Sequence, residues 1–257
     1  MQSPGRLKRA MELHFPMPHP DKTIVDPTSD NSRLTTRSIR SFVIRNGRMT
    51  PAQTDAITRL LPQFGISYVD TAIDMEESFA RKAPIWLEIG FGNGDVLIHV
   101  ASNRPEVDVL GVEVHAAGVG HALLGIEQKG LTNIRLIQHD AIEVLENMLP
   151  DSSIDKVLLL FPDPWHKKRH HKRRILQQDF LSGVNRVLKP DGILHCATDW
   201  AEYGEWMIEH LEKDTRFQNI VGPGLPAERP EWRPLTRFET RGHRLGHTVV
   251  DLTYRKV

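Results

Sequence analysis

Apolar and polar positions change period along this chain, and the changes mark out its elements. Residues 1–35 show no period at all; they are polar, with four prolines before Asp21. Such a segment buries too little apolar surface to order itself, so a disordered N-terminal extension is predicted. Helical spacing begins at Pro51–Leu61, with Thr50 as N-cap and Pro51 at the first helical position, where a missing N–H does no harm. From Pro84 onward, short apolar runs alternate with helical stretches. Strands are predicted at Ile85–Ile89, Val109–Val114, Ile134–Gln138, Ile154–Phe161 and Gly192–Ala197. Between and after them, helices are predicted at Asp95–Ala101, Ala116–Lys129, Ala141–Met148, Arg174–Val187 and Tyr203–Leu211. Alternating β-branched residues over Thr248–Tyr254 read as a last strand. Strands that alternate with helices and are apolar on both faces predict an α/β fold with a doubly wound, mostly parallel sheet.

A chain of 257 residues is long enough for one large domain with a sizeable core. The formal net charge is zero, so overall charge says nothing about polyanions, and any such site must be local. Residues 1–48 carry nine Lys/Arg against four Asp/Glu. Arg37-Ser-Ile-Arg-Ser-Phe-Val-Ile-Arg-Asn-Gly-Arg48 in particular reads as a cationic arm, with a solvated surface tail as the plainer reading. A single cysteine, Cys196, excludes an internal disulfide and a Cys-rich zinc site, and fits a reducing compartment. It falls in a predicted core strand, where a thiol is buried and inert. No run of about 18 apolar residues exists, and the N-terminus lacks an apolar segment. No membrane span and no secretory signal are expected, and the predicted location is the cytoplasm.

Directly after the first predicted strand comes Glu88-Ile-Gly-Phe-Gly-Asn-Gly94. Gly90, Gly92 and Gly94 let the backbone approach a ligand where a helix begins. A dinucleotide site would show G-x-G-x-x-G, but here Asp95 follows the glycines and Glu88 precedes them. Two acids would repel a pyrophosphate and favour a cationic ligand. The second strand ends in Gly111-Val-Glu-Val114, and an acid at that tip, Glu113, suits a pair of ribose hydroxyls. The third ends at His139-Asp140; Asp140 suits an adenine amino group, or serves as the N-cap of the next helix. Three acids at the ends of three successive strands point to a nucleoside-bearing cofactor at the carboxyl edge of the sheet.

The fourth strand delivers Phe161-Pro-Asp-Pro-Trp165 to the same edge, followed by His166-Lys-Lys-Arg-His-His-Lys-Arg-Arg174. Prolines stiffen a loop by fixing φ, which suits Asp163 and Trp165 to gripping a planar group. Trp165 either stacks on a base or packs under the loop. Six Lys/Arg and three His without an acid suit a polyanion; the plainer reading is a solvated helix start.

These residues carry a resemblance. Glu88–Gly94 resembles motif I of class I S-adenosylmethionine-dependent methyltransferases, whose cofactor bears a sulfonium and an ammonium but no phosphate. The passage Phe161–Arg174 resembles the signature of the tRNA (guanine-N7-)-methyltransferases. The likeness continues in Ala197-Thr-Asp-Trp-Ala201, in Thr236-Arg-Phe-Glu-Thr-Arg-Gly-His-Arg-Leu-Gly-His247 and in elements near Arg40–Arg48. It covers the chain from about Arg37 to the C-terminus and leaves residues 1–35 outside. The resemblance implies a Rossmann-like class I methyltransferase fold with an antiparallel C-terminal strand, forming one domain over residues 36–257. It implies methyl transfer from S-adenosyl-L-methionine to N7 of guanine 46 in the tRNA variable loop. Glu88, Gly90, Gly92, Gly94, Glu113, Asp140 and Asp163 then fall at the cofactor, with Asp163 also catalytic. Lys167, Asp199, Thr236, Arg237, Phe238 and Glu239 fall at the substrate. Arg169, His170, His171, Lys172, Arg173 and Arg174 correspond to the RNA-contacting stretch.

The chemistry accounts for these residue types. N7 of guanine has a free lone pair, so no strong base is needed, only in-line positioning. Positive charge moves onto the purine, and a fixed carboxylate that accepts from N1–H and the amino group stabilises it; Asp163 suits this role, with Asp199 or Glu239 orienting the base. No metal is expected: His166 and His170 have i,i+4 spacing, but the flanking cations oppose a dication and no third ligand is evident. The resemblance implies tRNA as the partner, and the sequence leaves monomer and homodimer both open. Two other readings remain: a methyltransferase acting on an exocyclic amino group, since Asp163-Pro-Trp loosely resembles an Asp-Pro-Pro-Tyr loop, and a non-enzymatic RNA-binding relative.

Overall fold

A computed structural model describes residues 39–43, 49–235, 239–240 and 248–257. The predicted extension, residues 1–35, and Arg45 and Arg48 of the arm lie outside the described residues, as do Thr236, Arg237 and Phe238.

The apolar runs lie side by side as strands. β1 (Ile85–Ile89), β2 (Asp108–Val112), β3 (Ile134–Ile137), β4 (Ile154–Leu160) and β5 (Leu188–Thr198) are mutually parallel. β7 (Val250–Lys256) runs antiparallel to β5, and a short edge strand not foreseen in the sequence, β6 (Phe217–Asn219), pairs with β7. The order across the sheet is β3-β2-β1-β4-β5-β7-β6. Side chains alternate between two cores, which explains why each strand reads as a continuous apolar run. In β4, Val157 and Leu159 face one core, while Leu158 and Leu160 face the other.

Helices cover both faces. α1 (Pro51–Phe64) starts as predicted: the Thr50 side chain accepts the Gln53 N–H and the Gln53 side chain accepts the Thr50 N–H, a reciprocal cap. α2 (Met75–Phe79) is too short to have shown a period. α3 (Asp95–Asn103), α4 (Ala116–Lys129), α6 (Gln178–Val187) and α7 (Ala201–Lys213) complete the layers. α5 differs from expectation: it spans only Ala141–Glu143, then widens into a π turn over Val144–Met148. A buttress from α6 accounts for this. The Arg186 guanidinium reaches the freed carbonyls of this turn, donating to Leu149 O at 2.9 Å and also to Leu145 O.

The predicted helix start at Arg174 is also corrected. Lys168–Arg173 forms a 3₁₀ helix closed by His170 N–H to Lys167 O and Arg174 N–H to His171 O. α6 begins only at Gln178, because Leu176 must first reach the core beside Phe180. The strand order reverses between β1 and β4. A crevice opens at the carboxyl ends of two such strands in an open α/β sheet, and here those ends carry the glycine turn and the Phe161–Trp165 loop.

Candidate active site

Leaving β1, the chain passes through Gly90, Gly92 and Gly94 at φ +69°, +56° and +79°, a hand that only glycine takes without strain. A Cβ on Gly90 or Gly92 would meet nothing within 4 Å, because this backbone faces the open crevice. Behind it, α4 comes so close that a Cβ on Gly118 would lie 2.2 Å from Gly92 O.

Glu113 ties the turn to the start of α4. Its Oε2 accepts the Gly92 N–H at 2.9 Å, and its Oε1 accepts the Val114 and His115 N–H groups at 2.7 and 2.9 Å. The His115 Nδ1 lies 2.9 Å from the same Oε1. Glu88 has a different environment. It is 3% exposed, and its Oε2 has no hydrogen-bond partner. Burial, then the charges of Asp95 and Glu113, push its carboxyl up to about 8. Asp140 caps α5, accepting the Ile142 N–H at 3.0 Å, and burial holds its carboxyl above the ordinary range. The capping reading of Asp140 is therefore visible, on a residue placed between His139 and Ala141 of the cavity wall.

That cavity measures about 320 Å³ and is bounded by Gly90, Gly92, Glu113, His115, His139 and Asp163, among others. A second cavity of about 460 Å³ lies against it, walled by Trp165, His166, Lys167 and His170. Asp163 and His115 line both. Ser41 and Phe42 of the arm reach the first cavity, and Val43 reaches the second. The arm was expected to meet a polyanion, and its place at these cavities was not foreseen; nor was His115, whose only hint was a histidine two residues after the acid that follows β2.

The loop between the cavities is held under strain. Phe161 and Trp165 both have left-handed backbones, φ +51° and +48°, unusual for bulky residues and typical of functional sites. Phe161 N–H donates to Ala197 O at 2.7 Å. Trp165 donates its indole N–H to Ser41 O at 3.1 Å, with the Arg173 guanidinium 5.2 Å from its ring and His170 edge-on at 5.8 Å. These contacts fix the Trp165 ring at the wall of the second cavity. Asp163 itself is exposed. Asp199 stands half-buried past the end of β5, the neighbouring strand, on the same edge of the sheet.

Lys167, Lys168, Arg169 and Lys172 are exposed, with His170, His171 and Arg173 half-exposed. Desolvation and the cations Arg169, Arg173, Lys167 and Lys172 hold the His170 imidazole below its ordinary range. The turn does not present Arg174, which is 1% exposed. The RNA contact expected of that side chain is replaced by contacts inside the protein. Glu239 is likewise turned inward: it is 2% exposed, and Arg233 reaches it at 2.6 and 3.2 Å. A substrate contact was expected there. Arg233, itself fully buried, also holds Asp251 at 2.7 Å, and Asp251 meets His195 Nε2 at 2.9 Å. Glu239 was expected at the substrate, and its pairing with Arg233, like those of Asp251 and His195, joins residues whose partnership nothing local in the sequence shows. Among the described residues, no group of three or more His, Cys, Asp and Glu could hold a metal, and no helix is long and apolar enough to cross a membrane.

Comparison with known proteins agrees with this geometry. Residues 82–252 match a family described as "Putative methyltransferase". A tRNA (guanine-N(7)-)-methyltransferase of Aeromonas hydrophila subsp. hydrophila is 48% identical over 221 residues, covering 86% of this chain and 93% of that protein. One from Photobacterium profundum is 47% identical over 236 residues, covering 92% and 96%. Among solved structures, the 16S rRNA methyltransferase KamB superposes with a TM-score of 0.50 at 18% identity, over 74% of this chain and 96% of that one. That likeness speaks to the fold.

Proposed function

This chain belongs to the tRNA (guanine-N(7)-)-methyltransferase family, and we propose that it methylates N7 of guanine 46 in the variable loop of tRNA, using S-adenosyl-L-methionine. The observation that carries this reading is the junction at Asp163. One exposed carboxylate on a strained loop stands between a glycine-cradled cavity that Glu113 also lines and a cavity walled by Trp165, Lys167 and three histidines.

The first cavity fits the cofactor. The one unpartnered oxygen of Glu88, Oε2, marks a place for a positive group, and the open faces of Gly90 and Gly92 admit a ligand against the backbone. In this reading Glu88 faces the ammonium end, Glu113 takes the ribose hydroxyls and Asp140 the adenine amino group. When bound, the cofactor supplies a methyl group on a sulfonium, ready for in-line displacement. The remaining work falls to the chain. Asp163 accepts from the N1–H and amino group of guanine, fixes N7 on the line of attack, and stabilises the positive charge that the ring gains. No proton must leave N7, so no residue acts as a base. Lys167 and Asp199, with Thr236, Arg237 and Phe238, orient the base. Arg169, His170, His171, Lys172 and Arg173 dock the RNA backbone. Residues 36–257 act as one methyltransferase domain, and the substrate implies work in the cytoplasm.

Incubating the protein with unmodified tRNA and methyl-labelled cofactor, then mapping the labelled nucleoside, tests this reading. N7-methylguanosine at position 46 is the expected product. Label on an exocyclic amino group, or none, would overturn the assignment.

A further inference from the structure

Arg174 ends a run of cations that read as one RNA-binding surface, yet it points into the protein. Its side chain is 0% exposed, stacked 4.9 Å from both the Tyr203 and Trp206 rings. The guanidinium is spent on three parts of the site at once. Nε donates to Pro164 O at 2.9 Å. Nη2 donates to Glu202 Oε1 at 3.1 Å, at the start of α7, and lies 3.1 Å from His171 Nε2 in the basic turn. The Pro164 carbonyl belongs to the peptide bond between Asp163's neighbour and Trp165, whose backbone is left-handed. A strained conformation persists only where its surroundings over-determine it. Arg174 supplies that constraint through Nε and Nη2, while its buried Nη1 has no hydrogen-bond partner.

We propose that Arg174 is a positioning residue of the methyl-transfer site rather than an RNA contact. Through the Pro164 carbonyl it fixes the Asp163 carboxylate. Because its own backbone N–H closes the 3₁₀ turn on His171 O at 2.9 Å, it links the docking of RNA phosphates on Lys168–Arg173 to the geometry at Asp163. This rests on the reading of Asp163 as the carboxylate that faces guanine.

Arg174→Lys separates the two roles. A phosphate contact survives exchange of one cation for another, whereas a lysine lacks the planar fork needed to hold Pro164 and Glu202 together. Steady-state methylation of unmodified tRNA should show kcat down roughly 30- to 100-fold, as expected for a carboxylate displaced by less than about 1 Å. The KM for tRNA should stay within about twofold and its salt dependence should not change. Lys172→Ala should do the reverse to KM and flatten the salt slope. Near-normal kcat in Arg174→Lys, or a loss confined to KM, would overturn the proposal. Glu202 is half exposed, so Glu202→Ala removes the partner without opening the core. It should lower kcat several-fold at constant KM with unchanged cofactor affinity; an unchanged kcat there also overturns the proposal, even if Arg174→Lys fails to fold. Asp163→Asn keeps the two levels apart. If it turns over normally, the reading of Asp163 fails. If it is inactive while Arg174→Lys is not, only the role of Arg174 fails.

Discussion

Replacing Glu88 with glutamine should make the cofactor-free protein more stable and the cofactor-binding protein worse. The carboxyl is 3% exposed, its Oε2 lacks a partner, and burial together with Asp95 and Glu113 raises it from 4.5 to about 8. That displacement sets roughly 5 kcal/mol against ionisation, at about 1.4 kcal/mol per decade. In the unfolded chain Glu88 loses its proton near 4.5, while in the fold it keeps it until about 8. Its contribution to stability is therefore complete below 4.5 and is lost as pH rises toward 8. Glutamine titrates in neither state, and the other groups are common to both proteins. The stability of Glu88→Gln relative to wild type should thus rise by about 3 kcal/mol between about pH 5 and pH 7.5. Urea denaturation of both proteins without cofactor, at the two pH values, measures this directly. Calorimetry of S-adenosyl-L-methionine binding in buffers of different ionisation enthalpy should show a proton released by wild type and none by the variant, which binds more weakly. A stability difference that does not change with pH would refute the reasoning.

Other perturbations reach different layers of the account. Arg233→Met removes the buried guanidinium that Asp251 and Glu239 share, and should cost about 3–5 kcal/mol in chemical denaturation. Gly118→Ala drives a Cβ to 2.2 Å from Gly92 O; it should cost about 1–3 kcal/mol and weaken cofactor binding, because the glycine turn must move to accept it. Neutralising Lys168, Arg169 and Lys172 together, all exposed, should weaken tRNA binding and reduce its log–log salt slope by about 0.7–0.9 for each lost phosphate contact.

What the sequence disclosed follows from the range of the interactions involved. The parallel sheet was legible because each central strand is apolar on both faces, as β4 shows. α1 was legible because Thr50, Pro51 and Gln53 act within one turn. The glycine turn, Glu88, Glu113 and Asp163 were legible because strand-end chemistry is local to a few residues. Contacts across the chain were not. Arg174 looked like its cationic neighbours because nothing nearby in sequence reveals that Glu202, Tyr203 and Trp206 wait 28 to 32 residues on to enclose it. Glu239 looked available because Arg233 gave no signal as its partner. The π turn at Val144–Met148 depends on Arg186, a helix away. β6 has three residues, too few to show alternation.

The central claim is that nitrogen 7 of one guanine accepts the methyl group while Asp163 holds the base by its other edge. A tRNA carrying 7-deazaguanine at position 46 keeps that edge and replaces the acceptor nitrogen with carbon. With labelled cofactor this tRNA should take up no methyl, yet compete with unmodified tRNA at an undiminished affinity. Label incorporated into the deaza-substituted tRNA at the normal rate would contradict the account.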